Sequence, residues 1–408
     1  MISTNPKAII ELGNLNIKCL IFVLNNNIPE ILSYEIIKSE GIHNGTITNF
    51  SKALKTIRSC ISYAEKKCGV LIKKSNVVLE QPEFLCTKFS KHKKINGGKI
   101  DKDDIEFLLK EAKKEANIND DRQSIIHIFN HNYIVDGKTF VEEPIDIYAN
   151  SLRHEMTFVT MPKNNIKNIN QVFIECEIEV ERYISSTFAL AVKLLNNNDL
   201  NLGSVLIDIG FEKISLGVFK NLALVHSITL PVGVNHITKD ISKVCSLTLE
   251  ESEIIKDKID FSFNSFNKLF SDNGYLKDNY FITSNFRKIS KSLIVNIVKA
   301  RIDEIFEIIK KEIFTTESNL NFKTSIFITG GGSNLINLDN YSSKFFGKNI
   351  KKVCEANNNQ SENKSEKHFT ACLGALKIIT EGWETEAIPE PVNKNALKIG
   401  FFSKIFGN

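Results

Sequence analysis

Two stretches of the chain repeat one design. Ala8–Phe22 reads AIIELGNLNIKCLIF, and Val205–Phe219 reads VLIDIGFEKISLGVF. Each is an apolar strand, an acid (Glu11, Asp208), one further residue, a glycine (Gly13, Gly210), three turn residues and a second strand. The two acids stand 197 positions apart, close to half of the 408 residues. Repeats of about 20–50 residues build solenoids; a repeat at half the chain length implies two duplicated lobes. A chain this long is expected to exceed a single core in any case.

Between the two hairpins, KDDIEFLLKEAKK (Lys102–Lys114) puts Ile105, Leu108, Leu109 and Ala112 on one helical face, with Asp101 as N-cap. SIIHIFNHNYIVDGKTF then predicts strand, Asp136-Gly137 turn, strand, and MTFVTMP closes the block. Bordered by Pro82 and Pro162, this block reads as an inserted α+β unit. Further on, Ser290–Ile309 has a helical apolar stripe, and SIFITGGGSNL (Ser325–Leu335) predicts a buried strand, a triple-glycine turn and a helix start. Ala356–His368 is a polar loop by composition, and a Pro-containing linker begins at Trp383.

Composition excludes several classes. An apolar share of 42% and a charged share of 25% are those of a globular protein. A net charge of +4, with lysines mixed among acids, gives no footprint for nucleic acid. The eight cysteines (Cys19, Cys60, Cys68, Cys86, Cys176, Cys245, Cys354, Cys372) form no CxxC pair, which points to a reducing compartment. MISTNPKAII lacks the build of a signal peptide. No apolar run approaches the ~20 residues that span a bilayer. The histidines do not cluster with acids or cysteines. A cytoplasmic protein is expected.

The repeated turns suggest phosphate chemistry. Glycine turns let backbone N–H groups approach phosphate oxygens, and carboxylates hold a divalent cation, usually through water. A hairpin in each lobe would clamp a triphosphate, and Gly330-Gly331-Gly332 would let ribose and base lie against backbone.

The order hairpin, hairpin, strand-GGG-helix resembles the actin-like ATPase superfamily, and within it the FtsA family of bacterial cell-division proteins. SEGIHNGTITNF (Ser39–Phe50) is similar to that family's glycine-rich segment, and Asn132–Thr160 to its inserted subdomain. LALVHSITLPVGVNHITKDIS, TLEESEIIK, KARIDEIFEII and FTACLGALKI match its second lobe and closing motif. The resemblance covers nearly the whole chain. It implies an α/β, two-lobed actin-like (ribonuclease H-like) fold with an inserted α+β subdomain 1C. The implied division is 1–83 and 163–195 for subdomain 1A, 84–162 for 1C, 196–243 and 313–382 for 2A, and 244–312 for 2B. A linker, 383–395, and an amphipathic helix, 396–408, complete it.

The resemblance implies ATP and magnesium as ligands. It carries over a nucleotide site made of Glu11, Gly13, Asn16, Asp208, Gly210, Lys213, Gly233, Asn235, Glu253, Lys256, Gly330, Gly331, Gly332 and Ser333, with Glu11 and Asp208 on the metal through water. The phosphate grip departs from the family pattern. Where members usually read Asp-Ile-Gly-Thr-Ser-Lys, this chain reads Glu11-Leu12-Gly13-Asn14-Leu15-Asn16; the hydroxyl and the phosphate-facing lysine are gone. Where they read Asp-Ile-Gly-Gly-Gly-Thr-Thr, it reads Asp208-Ile209-Gly210-Phe211-Glu212-Lys213-Ile214. Phe211 replaces a glycine, Glu212 would repel phosphate unless turned away, and Lys213 restores a cation at a lost threonine. The adenosine side, Gly330–Ser333 with Glu253 and Lys256, matches. Two readings follow: a nucleotide-gated polymer, or a pseudo-ATPase whose cleft is a hinge. Efficient hydrolysis is not expected from either.

The end of the chain, ALKIGFFSKIFGN, is amphipathic. At ~100° per residue, Leu397, Ile399, Phe401, Phe402, Ile405 and Phe406 cover an arc of roughly 200°. Lys398 falls within that arc, where its stem can snorkel, while Lys404 lies outside it and no acid follows Glu390. Such a helix lies in the headgroup region of an anionic membrane. Burying six large apolar side chains yields at most ~10 kcal/mol, and ordering the residues costs a comparable sum at ~1–2 kcal/mol each. One tail therefore binds reversibly, and a polymer of many tails holds tightly.

By the same resemblance the partners are the C-terminal peptide of FtsZ, further copies of this chain joined head to tail through 1C, later division proteins and anionic lipid. The location is the cytoplasmic face of the inner membrane at the division site. Arg287, Lys288, Lys291 and Arg301, in the part matching 2B, are candidates for the FtsZ peptide. The alternatives are a PilM-like pilus adaptor, which lacks such a tail, and a sugar or acetate kinase, which needs a catalytic acid.

Overall fold

The computed structural model describes residues 5–26, 28–139, 143–263, 269–316, 324–347, 350–353 and 368–381. Cys354, almost all of the expected polar loop, the linker from Trp383 and the amphipathic end lie outside the described residues. The chain divides into two compact units. The first is Met1–Gly203, Gly217–Ile228 and Glu355–Asn408; the second is Ser204–Leu216 and Thr229–Cys354.

In the first unit, β1 (Lys7–Leu12), β2 (Asn16–Asn25) and β3 (Ile28–Lys38) form an antiparallel meander. The glycine-rich segment contributes a two-residue ladder, β4 (Ile42–His43) with β5 (Thr46–Ile47), and leads into α1 (Phe50–Cys68). Helix α1 starts because the Asn49 side chain accepts from the Lys52 N–H, and stops at Gly69, where φ is 71°. It buries Ala53, Ile57, Cys60, Ile61 and Ala64, an i, i+4, i+7, i+8, i+11 stripe, against β2 and β3. Strand β6 (Lys74–Leu79) then pairs parallel with β1.

The inserted block follows: β7 (Leu85–Lys94), α2 (Lys102–Asn119), β8 (Gln123–Val135), β9 (Lys138–Thr139) and β10 (Ser151–Pro162), with strand order β7-β10-β8-β9. Asp101 caps α2 in a reciprocal capping box with Asp104. The β8–β9 turn places Asp136 and Gly137 at φ 50° and 71°, the left-handed pair that a two-residue hairpin requires. Ile105 and Leu108 of α2 pack on Tyr133, Val135 and Leu152 of the sheet. The chain returns through α3 (Lys163–Glu175) and β11 (Glu179–Ser185), which pairs parallel with β6, and then α4 (Ser186–Leu194) and α5 (Asn197–Leu202).

The other sheet comes from β12 (Ser204–Ile209), β13 (Ile214–Lys220) and β14 (Ala223–Leu230), then α6 (Asn235–Cys245), α7 (Leu249–Asp257), α8 (Lys291–Thr316), β15 (Ser325–Thr329), α9 (Leu338–Phe346) and β16 (Ile350–Lys352). Helix α10 (Thr370–Thr380) packs on α4 in the first unit. The two five-stranded sheets have one topology. The order β3-β2-β1-β6-β11 has its counterpart in β14-β13-β12-β15-β16. The sequence echo is thus a duplicated sheet. Its strands are nearly continuous apolar runs: β12 (SVLIDI) and β13 (ISLGVFK) are buried at all but two positions, Asp208 and Lys220.

One expectation needs correction. The triple glycine does not open an α-helix; Gly331–Asn334 forms a single 3₁₀ turn, and α9 begins only at Leu338. Gly330 at φ 88° and Asn337 at φ 60° bracket the turn, and each breaks the helical path.

Candidate functional site

In the first unit the hairpin turn is shaped by Gly13, where an added Cβ would stand 2.6 Å from the Asn16 carbonyl oxygen. Asn14 is tied to the glycine-rich segment: its amide donates to Asn44 Oδ1 at 2.8 Å, and its Oδ1 accepts from the Asn44 N–H at 2.7 Å. That segment is held in turn by Gln81, whose Nε2 donates to the Gly45 carbonyl at 2.6 Å. Glu11 is not a lone acid. The β1–β2 register sets it directly opposite Lys18, whose ammonium donates to both carboxylate oxygens at 2.9 and 3.0 Å. The Cys372 thiol lies 3.7 Å from Glu11 Oε2; burial first, and Glu11 second, push that thiol well above its usual pKa. Lys18 escaped the sequence reading. The signal was an acid and a lysine seven positions apart across a three-residue turn, which cross-strand pairing brings face to face.

In the second unit Gly210 repeats the geometry of Gly13. Its N–H donates to the Lys213 carbonyl at 3.0 Å, and an added Cβ would stand 2.7 Å from that oxygen. The segment before α6 docks on this turn: Val234 and Asn235 N–H groups donate to the carbonyls of Gly210 and Phe211 at 3.1 and 2.8 Å. Gly233 lies against the Phe211 carbonyl so closely that a Cβ would come within 2.4 Å. Glu212 has its charge compensated, accepting from Asn235 Nδ2 at 2.6 Å and from Lys239 Nζ at 3.2 Å. Asn235, expected on nucleotide, is spent on Glu212.

The strand register Asp208↔Thr329 brings the triple-glycine turn beside the hairpin. A Cβ on Gly330 would meet Asp208 Oδ1 at 2.2 Å, and one on Gly332 would meet Ile209 and Val234 side chains at 2.6 Å. Gly331 has open space where a Cβ would be. Ser333 Oγ donates to the Gly330 carbonyl at 2.7 Å. On α7, Lys256 is buried and donates to Glu253 Oε1 at 2.5 Å, while Thr238 donates to Glu253 Oε2 at 2.5 Å. The Lys256 ammonium stands 6.0 Å from the centroid of the Phe211 ring. The second unit therefore gathers Asp208, Gly210, Lys213, Gly233, Asn235, Glu253, Lys256 and Gly330–Ser333, while Glu11, Gly13 and Asn16 belong to the first.

A groove of about 460 Å³ lies elsewhere on the second unit, lined by Tyr275, Lys277, Phe286 and Lys288 among others. Phe286 is 56% exposed, and Lys288 lies over the Tyr275 ring at 5.8 Å. The segment leading to Phe286 is anchored by Glu251, which accepts from the N–H groups of Ile282, Thr283 and Ser284 at 2.7, 2.8 and 2.9 Å. Burial alone would raise this carboxyl; the Ser284 hydroxyl and the converging N–H groups hold it well below the usual range instead. Of the four basic candidates, Lys288 lines the groove. Arg287 donates to the Ser246 carbonyl, and the Lys291 N–H donates to the Gly274 carbonyl. Arg301 is held by Asp240 and Glu304.

A profile of the cell division protein FtsA matches residues 205–374, and a profile of the SHS2 domain inserted in FtsA matches 85–160. The chain belongs to the FtsA family. A cell division protein FtsA from Buchnera aphidicola of Schizaphis graminum is 27% identical over 92% of this chain and 91% of its own. Among solved structures, the PilM–PilN type IV pilus biogenesis complex superposes with a TM-score of 0.62 at 12% identity, over 90% of this chain and 96% of that one. MreB5 of Spiroplasma citri bound to AMPPNP gives 0.54 at 14% identity, over 92% and 96%. These two show the actin-like fold. The pilus-adaptor alternative has the fold alone in its favour, and the profiles select FtsA.

Nucleotide-binding relatives of the fold make ATP the ligand to test against these residues. The adenosine side fits it, because Gly331 leaves open space beside a tight glycine turn. The phosphate side does not. In the first unit Glu11 is neutralised within its own hairpin, and in the second an aromatic residue, Phe211, stands where the family has glycine. A hydrated divalent cation needs uncompensated carboxylate charge, and Lys18 removes it at Glu11.

Proposed function

We propose that this chain is a division-site adaptor that tethers FtsZ filaments to the cytoplasmic face of the inner membrane. The observation that carries the reading is the aromatic and basic groove of the second unit, in a chain of the FtsA family. Tyr275 and Phe286 supply apolar contact, and Lys277 and Lys288 outweigh Asp278 in the charge of its lining. Such a groove suits a short peptide with apolar anchors and acids, as the C-terminal peptide of FtsZ would be. Glu251 presets the backbone leading to Phe286, so little ordering remains to be paid on binding.

The apolar and basic end, Leu397–Phe406, supplies the second contact, with anionic lipid. Copies joined head to tail through residues 84–162 multiply that weak contact into a firm one. Later division proteins join the same assembly. Subdomains 1A, 1C, 2A and 2B take the ranges expected above, except that Thr370–Thr380 goes with 1A, because that helix packs on α4 and β1 of the first unit. The mechanism is assembly without product formation: the first hairpin pairs its acid, Glu11, with Lys18 and has Asn16 where the family has its phosphate-facing lysine, so it lacks two groups that rapid ATP hydrolysis demands.

Two measurements test this. Flotation with phosphatidylglycerol vesicles should carry the full chain and leave behind a chain ending at Asn393; equal flotation of both sinks the tether. The C-terminal FtsZ peptide should bind the full chain, and Lys288→Glu should weaken it about tenfold by reversing one contact charge. Unchanged affinity in that variant removes the groove from the proposal.

A further inference from the structure

We propose that Phe211 is a built-in plug of the nucleotide site, holding down the affinity of this chain for ATP. The proposal relies on the family reading only for where nucleotide would lie in the second unit. Phe211 sits at the first of the two turn positions where the family pattern has the glycines that approach phosphate. Its backbone cannot drift. The Asn235 N–H holds its carbonyl at 2.8 Å, and Gly233 backs that carbonyl with no room for a methyl group.

From this fixed point the ring reaches the other end of the site. Its centroid lies 6.0 Å from the Lys256 ammonium, and Lys256 belongs to the Glu253–Lys256 pair expected to face ribose. One side chain therefore reaches from the phosphate turn toward the helix that carries the pair expected to face ribose. The ring offers no hydrogen-bond donor to a phosphate chain. Lys256 is also fixed from behind, since Glu253 is held by Thr238. The obstruction is local. At the triple-glycine turn, Gly331 still faces open space, and Gly330 and Gly332 keep the close packing that shapes a base-binding turn.

A single truncation should then reopen the site. Full-length native protein, Phe211→Gly, Phe211→Ala and Phe211→Leu are titrated calorimetrically with ATP and magnesium, with circular dichroism to check folding. Phe211→Gly and Phe211→Ala should bind ATP at least about tenfold tighter than the native chain. Phe211→Leu, which keeps the bulk, should stay within about twofold of native. The plug is refuted if the native chain binds as tightly as the truncated variants, or if folded Phe211→Gly and Phe211→Ala gain nothing. Vesicle flotation of the native chain without nucleotide reads the adaptor role separately, so failure of one proposal leaves the other standing.

Discussion

The two hairpins share a turn and differ in what they do with charge. Gly13 and Gly210 face the carbonyl three residues on at nearly the same distance, and each hairpin sits in a sheet of the same strand order. At the first hairpin the acid itself, Glu11, is neutralised by the cross-strand Lys18. At the second, the compensated acid is the added Glu212, bound to Asn235 and Lys239, while Asp208 packs beneath Gly330. The common part is what the two sheets need in order to close. The divergent part is what a bound phosphate would have policed.

Backbone substitutions should give the largest effects. Gly330→Ala forces a left-handed φ on a residue with a Cβ and drives that Cβ into Asp208, so it should cost about 3 kcal/mol or more in thermal or urea unfolding. Gly331→Ala, one residue on, should change stability by less than about 1 kcal/mol, since nothing stands in its way. The turn comparison is sharpened by Gly13→Ala and Gly210→Ala. Each meets a carbonyl oxygen, and each should cost about 2 kcal/mol. A difference of more than about 1 kcal/mol between them would break the equivalence of the two turns.

Next comes Glu251→Gln in the second unit. It weakens a charge-assisted network on a buried carboxylate, at about 2 kcal/mol. Amide exchange at Ile282–Ser284 should quicken, and protection unchanged there would show that the segment is held by other means.

Acid should separate the units. In the first unit, burial above all, with Arg182 adding, pushes His127 from 6.5 down to about 3; its Nε2 accepts from the Ser185 N–H. His226 is pushed down to about 4 by burial and Lys88. Both stay neutral when folded but bind a proton near pH 6.5 when unfolded, so their stability is complete above that pH and declines as pH falls toward their folded values. Glu251 in the second unit is depressed below 4.5, so its stability is complete above 4.5 and is lost only at more acid pH. Hydrogen exchange at pH 5.5 against pH 7, corrected for intrinsic rates, should show the first unit loosening before the second. The reverse order would overturn this account. The smallest effect is expected from Lys18→Met, which strands a partly buried Glu11 at about 1 kcal/mol; Glu11→Gln in the same background should recover most of it.

Much of the architecture was legible in the sequence. The paired strand-acid-x-Gly-strand pattern gave both sheet nuclei, the 3.6 periodicity gave α2 and α8, and Asp101 and Asp136-Gly137 marked a cap and a turn. These are local signals, set by strand and helix periods and by which residues tolerate positive φ. Less of the site was legible. Lys18 read as one lysine among many until β1 and β2 paired; Glu251 carried no reading of its own until the Ile282–Ser284 backbone closed on it.

The sequence by itself determined where the strands turn and which faces are apolar, because those follow from chain-local sterics and hydrophobic period; which phosphate-binding residues are missing came from its resemblance to the family pattern. Only tertiary structure decided which charges cancel, where the Phe211 ring points, and that the triple glycine makes a 3₁₀ turn. Those outcomes depend on rotamers and partners far apart in the chain, and a residue's identity fixes what it can bond to, while packing chooses which bond it makes.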